Sequence, residues 1–254
     1  MGGVIMSGHN KWSTIKHKKA KTDAQRGKIF TKIGREIAMA VREGGADPAT
    51  NSKLRDVVAK AKAANMPNDN ITRSIKKAAG DGDSANYKEI TYEGYAPGGV
   101  AVIVEAVTDN LNRTASEIRH IFDKCGGSLG ATGCVSWMFE RKGVIELNNE
   151  KNLDEEEVMM LALDAGADDV EVDEESVVIY TDPGEFSAVR ENLENAGCTF
   201  FSAERAMIPD NTVDLTANPD VAEAVIRLLD LLEDNDDTQD VFHNAELPEE
   251  EEEE

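Results

Sequence analysis

The hydrophobic pattern of this chain changes character near Tyr87, and that change limits the folds open to it. Between residues 23 and 80, apolar side chains such as Ile33 and Ile37 recur at steps of three and four, which is typical of helices with one buried face. After Tyr87 the pattern alternates, and from residue 100 to 107 it is almost continuously apolar, which predicts strands. We therefore expect an all-helical N-terminal region followed by mixed helix and sheet.

The helical region is predicted to contain three helices. The first runs from about Asp23 to Glu43, the second is opened by Asp47 as its cap and Pro48 as its first residue, and the third begins near Pro67. Residues 1–22 are polar, basic and without a period, so we expect this arm to order only on contact with a partner.

The second half of the chain carries a recognisable order of elements. Residues 142–207 predict strand, helix, strand, strand, helix, strand, which is the ferredoxin-like arrangement. A hairpin and a helix with a capping box at Thr114 and Glu117 precede this unit, and a helix and a strand that could complete the same sheet follow it. The prediction is an α+β protein with a flexible basic arm (1–22), a helical domain (23–82), a split middle domain (83–141 plus 208–247), a ferredoxin-like domain (142–207) and a disordered acidic tail (248–254).

Charge divides the chain unevenly. Its net charge is -23, yet residues 1–80 carry +11 and residues 81–254 carry -34. Cations interleaved with tryptophan and histidine suit a polyanion whose bases can stack, although a basic terminus on an acidic solubilising body is a simpler explanation. On the first interpretation Trp12 stacks on a base and phosphates contact Lys11, Lys16, Lys18, Lys19, Lys21, Arg26, Lys28, Lys32 and Arg35.

A second candidate site lies where a buried strand ends and a helix begins, and it comprises Asn110, Asn112, Arg113 and Thr114. The unpaired N–H groups of a helix start, the positive end of the helix dipole and Arg113 could converge there on an anion. Ordinary capping by Asn and Thr, with Arg113 in solvent, explains the same residues.

No catalytic or metal-binding motif is present. Four scattered histidines and three widely separated cysteines lack metal-ligand spacing, and there is no Gly-x-Ser-x-Gly elbow or phosphate-binding loop. The glycines from 126 to 133 predict a hinge or a close-packed turn. We expect no enzyme activity, no cofactor, no membrane span and a reducing compartment; the oligomeric state stays open.

Several motifs resemble those of the YebC family. They are Met-Ser-Gly-His-Asn-Lys-Trp (6–12), Arg-Gly-Lys-Ile-Phe-Thr-Lys (26–32), Tyr-Glu-Gly-Tyr-Ala-Pro-Gly-Gly-Val-Ala (92–101) and Thr-Asp-Asn-Leu-Asn-Arg-Thr (108–114). That family is usually labelled as probable transcriptional regulators and includes the mitochondrial translational activator of cytochrome oxidase subunit I. The resemblance implies three domains and a cytoplasmic, non-enzymatic role in gene expression.

Two functions follow from the resemblance. One is a DNA-binding transcriptional regulator, which the family label favours. The other is a translation factor that contacts ribosomal or transfer RNA, or the ribosome. The charge polarity and the lack of a clear helix-turn-helix signature favour the second slightly.

Overall fold

The computed structural model describes residue 12 and residues 23–80, 86–148, 155–172 and 176–248. The chain divides into a larger compact unit, residues 18–139 and 209–254, and a smaller one, residues 1–17 and 140–208. Apart from Trp12, the basic arm lies outside the described residues, as does the tail from residue 249. The α+β class is confirmed, and the division into three domains stays a prediction.

The longer described elements follow one another as the sequence predicted, with shifted ends. The described α-helices and strands are α1 (Asp23–Gly44), α2 (Ser52–Ala63), α3 (Asn68–Ala79), β1 (Lys88–Tyr95), β2 (Ala101–Thr108), α4 (Leu111–Lys124), β3 (Ser128–Leu129), β4 (Phe139–Asn148), α5 (Glu155–Ala165), β5 (Asp169–Val172), β6 (Ser176–Thr181), α6 (Phe186–Asn195), β7 (Phe200–Pro209), β8 (Val213–Asp214), α7 (Pro219–Glu233), β9 (Thr238–His243) and β10 (Ala245–Glu246). The short strands β3, β8 and β10 are additional to the prediction.

Helices α1 to α3 pack their apolar faces into one core, which includes Ile33, Ile37 and Leu54. The predicted start of the second helix at Asp47 is wrong. Asp47 instead closes a short turn by accepting a hydrogen bond from the N–H of Ala49. The cap is Asn51, whose side chain accepts from the N–H of Leu54 and donates to the carbonyl of Ala40, so one buried amide ties α2 to α1.

The main sheet of the larger unit has the order β3-β1-β2-β9. Strands β1 and β2 form the predicted antiparallel hairpin, and β9 returns from the far end of the sequence to pair antiparallel with β2. Helices α4 and α7 cover one face, with Phe122 and Leu228 fully buried in the shared core. On the other face Ile103 is also buried, so the continuous apolar run of β2 is explained by burial on both sides.

The glycine-rich segment after α4 is a close-packed turn. A side chain at Gly127 would place its Cβ 2.6 Å from the carbonyl oxygen of Tyr95, and one at Gly94 would come 2.6 Å from that of Ser128. Glycine is required at these positions because the backbones of β1 and β3 approach each other there.

In the smaller unit, four strands have the order β5-β6-β4-β7, with α5 and α6 contributing to a core beneath one face. This is the strand order of the predicted βαββαβ unit. Ile145 and Leu147 point into that core, so the alternating residues Val144 and Glu146 belong to the second face. Both are nearly inaccessible to solvent, so this second face is covered as well.

Candidate nucleic-acid interface

The basic face of α1 is held by the end of α7. The Lys28 ammonium lies 3.0 Å from the carbonyl oxygen of Asp234, and the Lys32 ammonium lies 2.6 Å from that of Glu233. The last carbonyls of a helix have no partner within it and carry the negative end of its dipole, so cations stabilise them. Burial lowers the pKa of Lys32 despite the nearby carboxylates of Asp240 and Glu233.

Arg35, one turn further along α1, also has partners inside the larger unit. Its guanidinium donates to the carbonyls of Val107 and Asp236 and lies 2.9 Å from the carboxylate of Asp237. Contact of Lys28, Lys32 and Arg35 with phosphate therefore stays a prediction, and it would require these internal contacts to be exchanged.

The predicted anion site is occupied by the carboxylate of Asp237. Arg113 donates to Oδ2 of Asp237 at 2.7 Å, and the hydroxyls of Thr114 and Thr108 donate to the same oxygen at 2.7 and 3.1 Å. Together with Arg35 these residues form the Asp237 cluster. Burial alone would raise the pKa of Asp237, but the hydrogen bonds from Arg113, Thr114 and Thr108 outweigh it and hold the pKa below its usual value.

Capping of α4 follows the ordinary capping explanation at Asn110 but not at Thr114. Asn110 is the cap, because its side chain accepts from the N–H of Arg113. Thr114 lies inside the helix and is fully buried, so the capping box of Thr114 with Glu117 is wrong. Asn112 is exposed on the first turn. Binding of an external anion here stays a prediction.

Trp12 is buried in the smaller unit rather than presented to solvent. It is 5% exposed, and its indole N–H donates to the carboxylate of Glu146 at 3.4 Å. Ser202 donates to the same carboxylate. Stacking of Trp12 on a base therefore requires the indole to leave this contact. Arg26 is exposed on α1, whereas the remaining predicted contacts lie outside the described residues, namely Lys11, Lys16, Lys18, Lys19 and Lys21.

The cations of α3 are arranged differently from those of α1. Arg73, Lys76 and Lys77 are exposed, and none of them pairs with a carboxylate in the described part of the chain. At 100° per residue they fall within one third of the helix circumference, opposite the buried side chain of Ile71. Exposed Lys62 follows the same pattern near the end of α2. The sequence predicts exposure of these cations, but it did not single them out as phosphate contacts.

Trp137 is an exposed aromatic side chain that the sequence did not single out. Trp137 is 72% exposed, and its N–H donates to the carbonyl of Cys134. The loop beneath it is fixed by the buried carboxylate of Glu93, which accepts from the N–H groups of Gly133, Val135 and Ser136. These backbone bonds overcome the effect of burial and hold the pKa of Glu93 below its usual value.

Within the described residues, no group of His, Cys, Asp or Glu is placed to hold a metal ion. No helix in that part of the chain is both long and apolar enough to cross a membrane.

An all-helical region, a sheet built from segments that precede and follow residues 140–208 in the chain, and a ferredoxin-like unit together define an α+β protein with a cationic helical surface. The chain belongs to the TACO1/YebC family, which confirms the resemblance seen in the sequence. Residues 10–81 match the model of the TACO1/YebC protein N-terminal domain, and residues 87–245 match that of the TACO1/YebC second and third domain.

Relatives and a solved structure agree with this assignment. A protein of Acetivibrio thermocellus named "Probable transcriptional regulatory protein" is 61% identical over 239 residues, which cover 94% of this chain and 98% of that one. A protein of Clostridium novyi with the same description is 58% identical over 245 residues, which cover 96% and 99%. The crystal structure of a conserved hypothetical protein from Aquifex aeolicus matches with a TM-score of 0.82 at 51% identity and covers 96% of this chain and 99% of that one.

Proposed function

We propose that this protein regulates gene expression by binding nucleic acid through the cationic face of α3, formed by Arg73, Lys76 and Lys77, together with the basic arm. The observation that carries the proposal is that these three cations are exposed and without a carboxylate partner among the described residues, in a chain of net charge -23. Such side chains neutralise phosphates and release counterions.

The charge of the rest of the chain supports binding through the basic region alone. Residues 81–254 carry a net charge of -34, so a polyanion bound at α3 would be repelled by the acidic part of the protein. The names of the relatives favour duplex DNA as the partner and transcription as the process. The proposed role is cytoplasmic and involves no catalytic step.

A second candidate is a translation factor that binds ribosomal or transfer RNA. Phosphate contacts from α3 and the arm carry no sequence information, so they suit RNA as well as DNA. The acidic residues 81–254 favour this candidate, because they could contact the basic proteins of a ribosome.

Binding is tested with a triple variant, Arg73→Ala with Lys76→Ala and Lys77→Ala. Fluorescence anisotropy with labelled duplex DNA and with a labelled RNA hairpin measures affinity over a range of salt. Loss of three phosphate contacts should reduce the slope of log affinity against log salt by about 2.7 and weaken binding by about two to three orders of magnitude near 0.1 M salt.

The matched control removes three exposed cations from other helices: Arg119→Ala, Lys124→Ala and Arg227→Ala. This control changes the net charge of the protein by the same amount but leaves the three cations of α3 in place. It should therefore alter the slope of log affinity against log salt far less. Equal effects of the two triple variants would refute a site on α3. Crosslinking in cells then separates the two candidates, since promoter DNA lost in the α3 variant supports transcription and ribosomal or transfer RNA supports translation.

A further inference from the structure

Helix α5 exposes apolar side chains where a surface helix is normally polar. Met159, Met160 and Leu163 are 41%, 66% and 56% exposed. On the opposite side Val158 and Ala162 pack in the core of the smaller unit. At 100° per residue the three exposed side chains lie within one arc of the helix, so α5 is apolar on both faces. A helix of that kind is normally covered on both sides.

Acidic residues lie along one side of this apolar face and in line with it at the start of the helix. Glu156, Glu157 and Asp164 are exposed on the same helix. Residues 140–208 contain 19 Asp and Glu against five Lys and Arg, a net charge of -14. An apolar strip bordered by carboxylates can bury apolar side chains of a partner while attracting its cations.

We propose that Met159, Met160 and Leu163 form a docking face for a basic amphipathic helix of a protein partner. The apolar side of that helix would lie on the two methionines and the leucine, and its Lys or Arg side chains would approach Glu156, Glu157 and Asp164. Methionine suits such a face because its unbranched, polarisable side chain adapts to differently shaped partners. Recognition of an amphipathic helix by an apolar surface is a common mode of protein binding.

Charge argues against the other occupants. A second copy of this chain has a net charge of -23, and its acidic residues 81–254 would meet a surface of their own sign. Contact through its basic residues 1–80 is the case that a search for a dimer tests. Nucleic acid and anionic lipid headgroups would be repelled in the same way. A cationic amphipathic helix is the occupant that can both bury apolar side chains on the strip and form ion pairs with the neighbouring carboxylates. The docking face shares no residue with the proposed phosphate contacts on α3.

The test uses the full-length protein and a labelled amphipathic peptide of leucine and lysine, about 18 residues long so that it can form a helix. A second peptide keeps every lysine and replaces every leucine with glutamine. The double variant Met160→Gln with Leu163→Gln removes the two most exposed side chains of the apolar strip without changing the charge. Phe201→Gln, which replaces another exposed apolar side chain of the same unit on β7, is the matched control.

Anisotropy should show that the double variant binds the leucine-containing peptide at least about tenfold more weakly, whereas Phe201→Gln binds like the unaltered protein. Methyl NMR of ¹³C-labelled methionine should show shifts of the Met159 and Met160 signals but not of those from buried Met39 and Met66. Equal affinity of the double variant, or equal binding of the leucine-free peptide, would overturn the proposal. So would a dimer, detected by light scattering, that dissociates only in the double variant.

Discussion

Replacement of Asp237 by Asn should destabilise the larger unit. The carboxylate is 3% exposed and accepts hydrogen bonds from Arg35, Arg113, Thr108 and Thr114. Asn keeps the size of the side chain but loses the charge, and one of its two acceptor oxygens becomes a donor. The two arginines would then lack their common anion.

The magnitude follows from the exposure of the partners. Loss of one member of a fully buried ion pair costs about 3–5 kcal/mol. Arg113 is 42% exposed and can be rehydrated, whereas Arg35 is 16% exposed and can be rehydrated less. We therefore expect the free energy of unfolding of the larger unit to fall by about 2–4 kcal/mol at neutral pH.

Asp109→Asn is the matched control, because Asp109 pairs with the same guanidinium of Arg113 but is 51% exposed. Exposed pairs of this kind contribute about 0.5 kcal/mol or less. Native-state hydrogen exchange read by mass spectrometry separates the two units. In Asp237→Asn, fragments of β2 and β9 should exchange about a hundredfold faster, and fragments from residues 140–208 should not change.

The effect should also depend on pH in one direction. Because the pKa of Asp237 is lower in the folded protein than its ordinary value of 3.8, the ionised cluster stabilises the fold above that value. The contribution is lost as the pH falls through the lowered pKa. The difference between the unaltered protein and Asp237→Asn should therefore shrink below pH 3.8. Equal effects of the Asp237 and Asp109 variants at neutral pH would refute this reasoning.

Three further predictions concern other parts of the chain. Glu93→Gln should cost about 2–3 kcal/mol and speed exchange between residues 130 and 138, because its amide would face backbone N–H groups; unchanged exchange there would contradict this. Gly94→Ala should lower the melting temperature by several degrees, because its Cβ would meet the carbonyl of Ser128, and an unchanged melting temperature would argue against that close contact. In the variant Trp137→Phe, Trp12 is the remaining tryptophan, and its fluorescence emission should be blue-shifted because the indole is buried. The emission should shift to the red if nucleic acid displaces the indole from Glu146. Binding without a shift would leave Trp12 in place.

Local pattern was sufficient for the class of fold. The helices of the first region, the hairpin after Tyr87 and the βαββαβ order all follow from hydrophobic periods that span only a few residues. Strands β5 and β6 have the predicted bounds, because a continuous apolar or alternating run sets them directly. The errors concern caps. Asp47 was predicted as the cap of α2, but Asn51 has the backbone position that a cap requires. Thr114 was predicted in a capping box, but it lies inside α4, which Asn110 caps.

The sequence by itself determined the family, the α+β class and the separation of a basic helical region from an acidic remainder. Only the tertiary structure decided what each charged side chain does. Lys32 meets the end of α7 across 201 residues, and Trp12 meets Glu146 across 134. Neighbours so distant in the chain leave no local pattern, because the hydrophobic period records which side of an element is buried and not what lies against it.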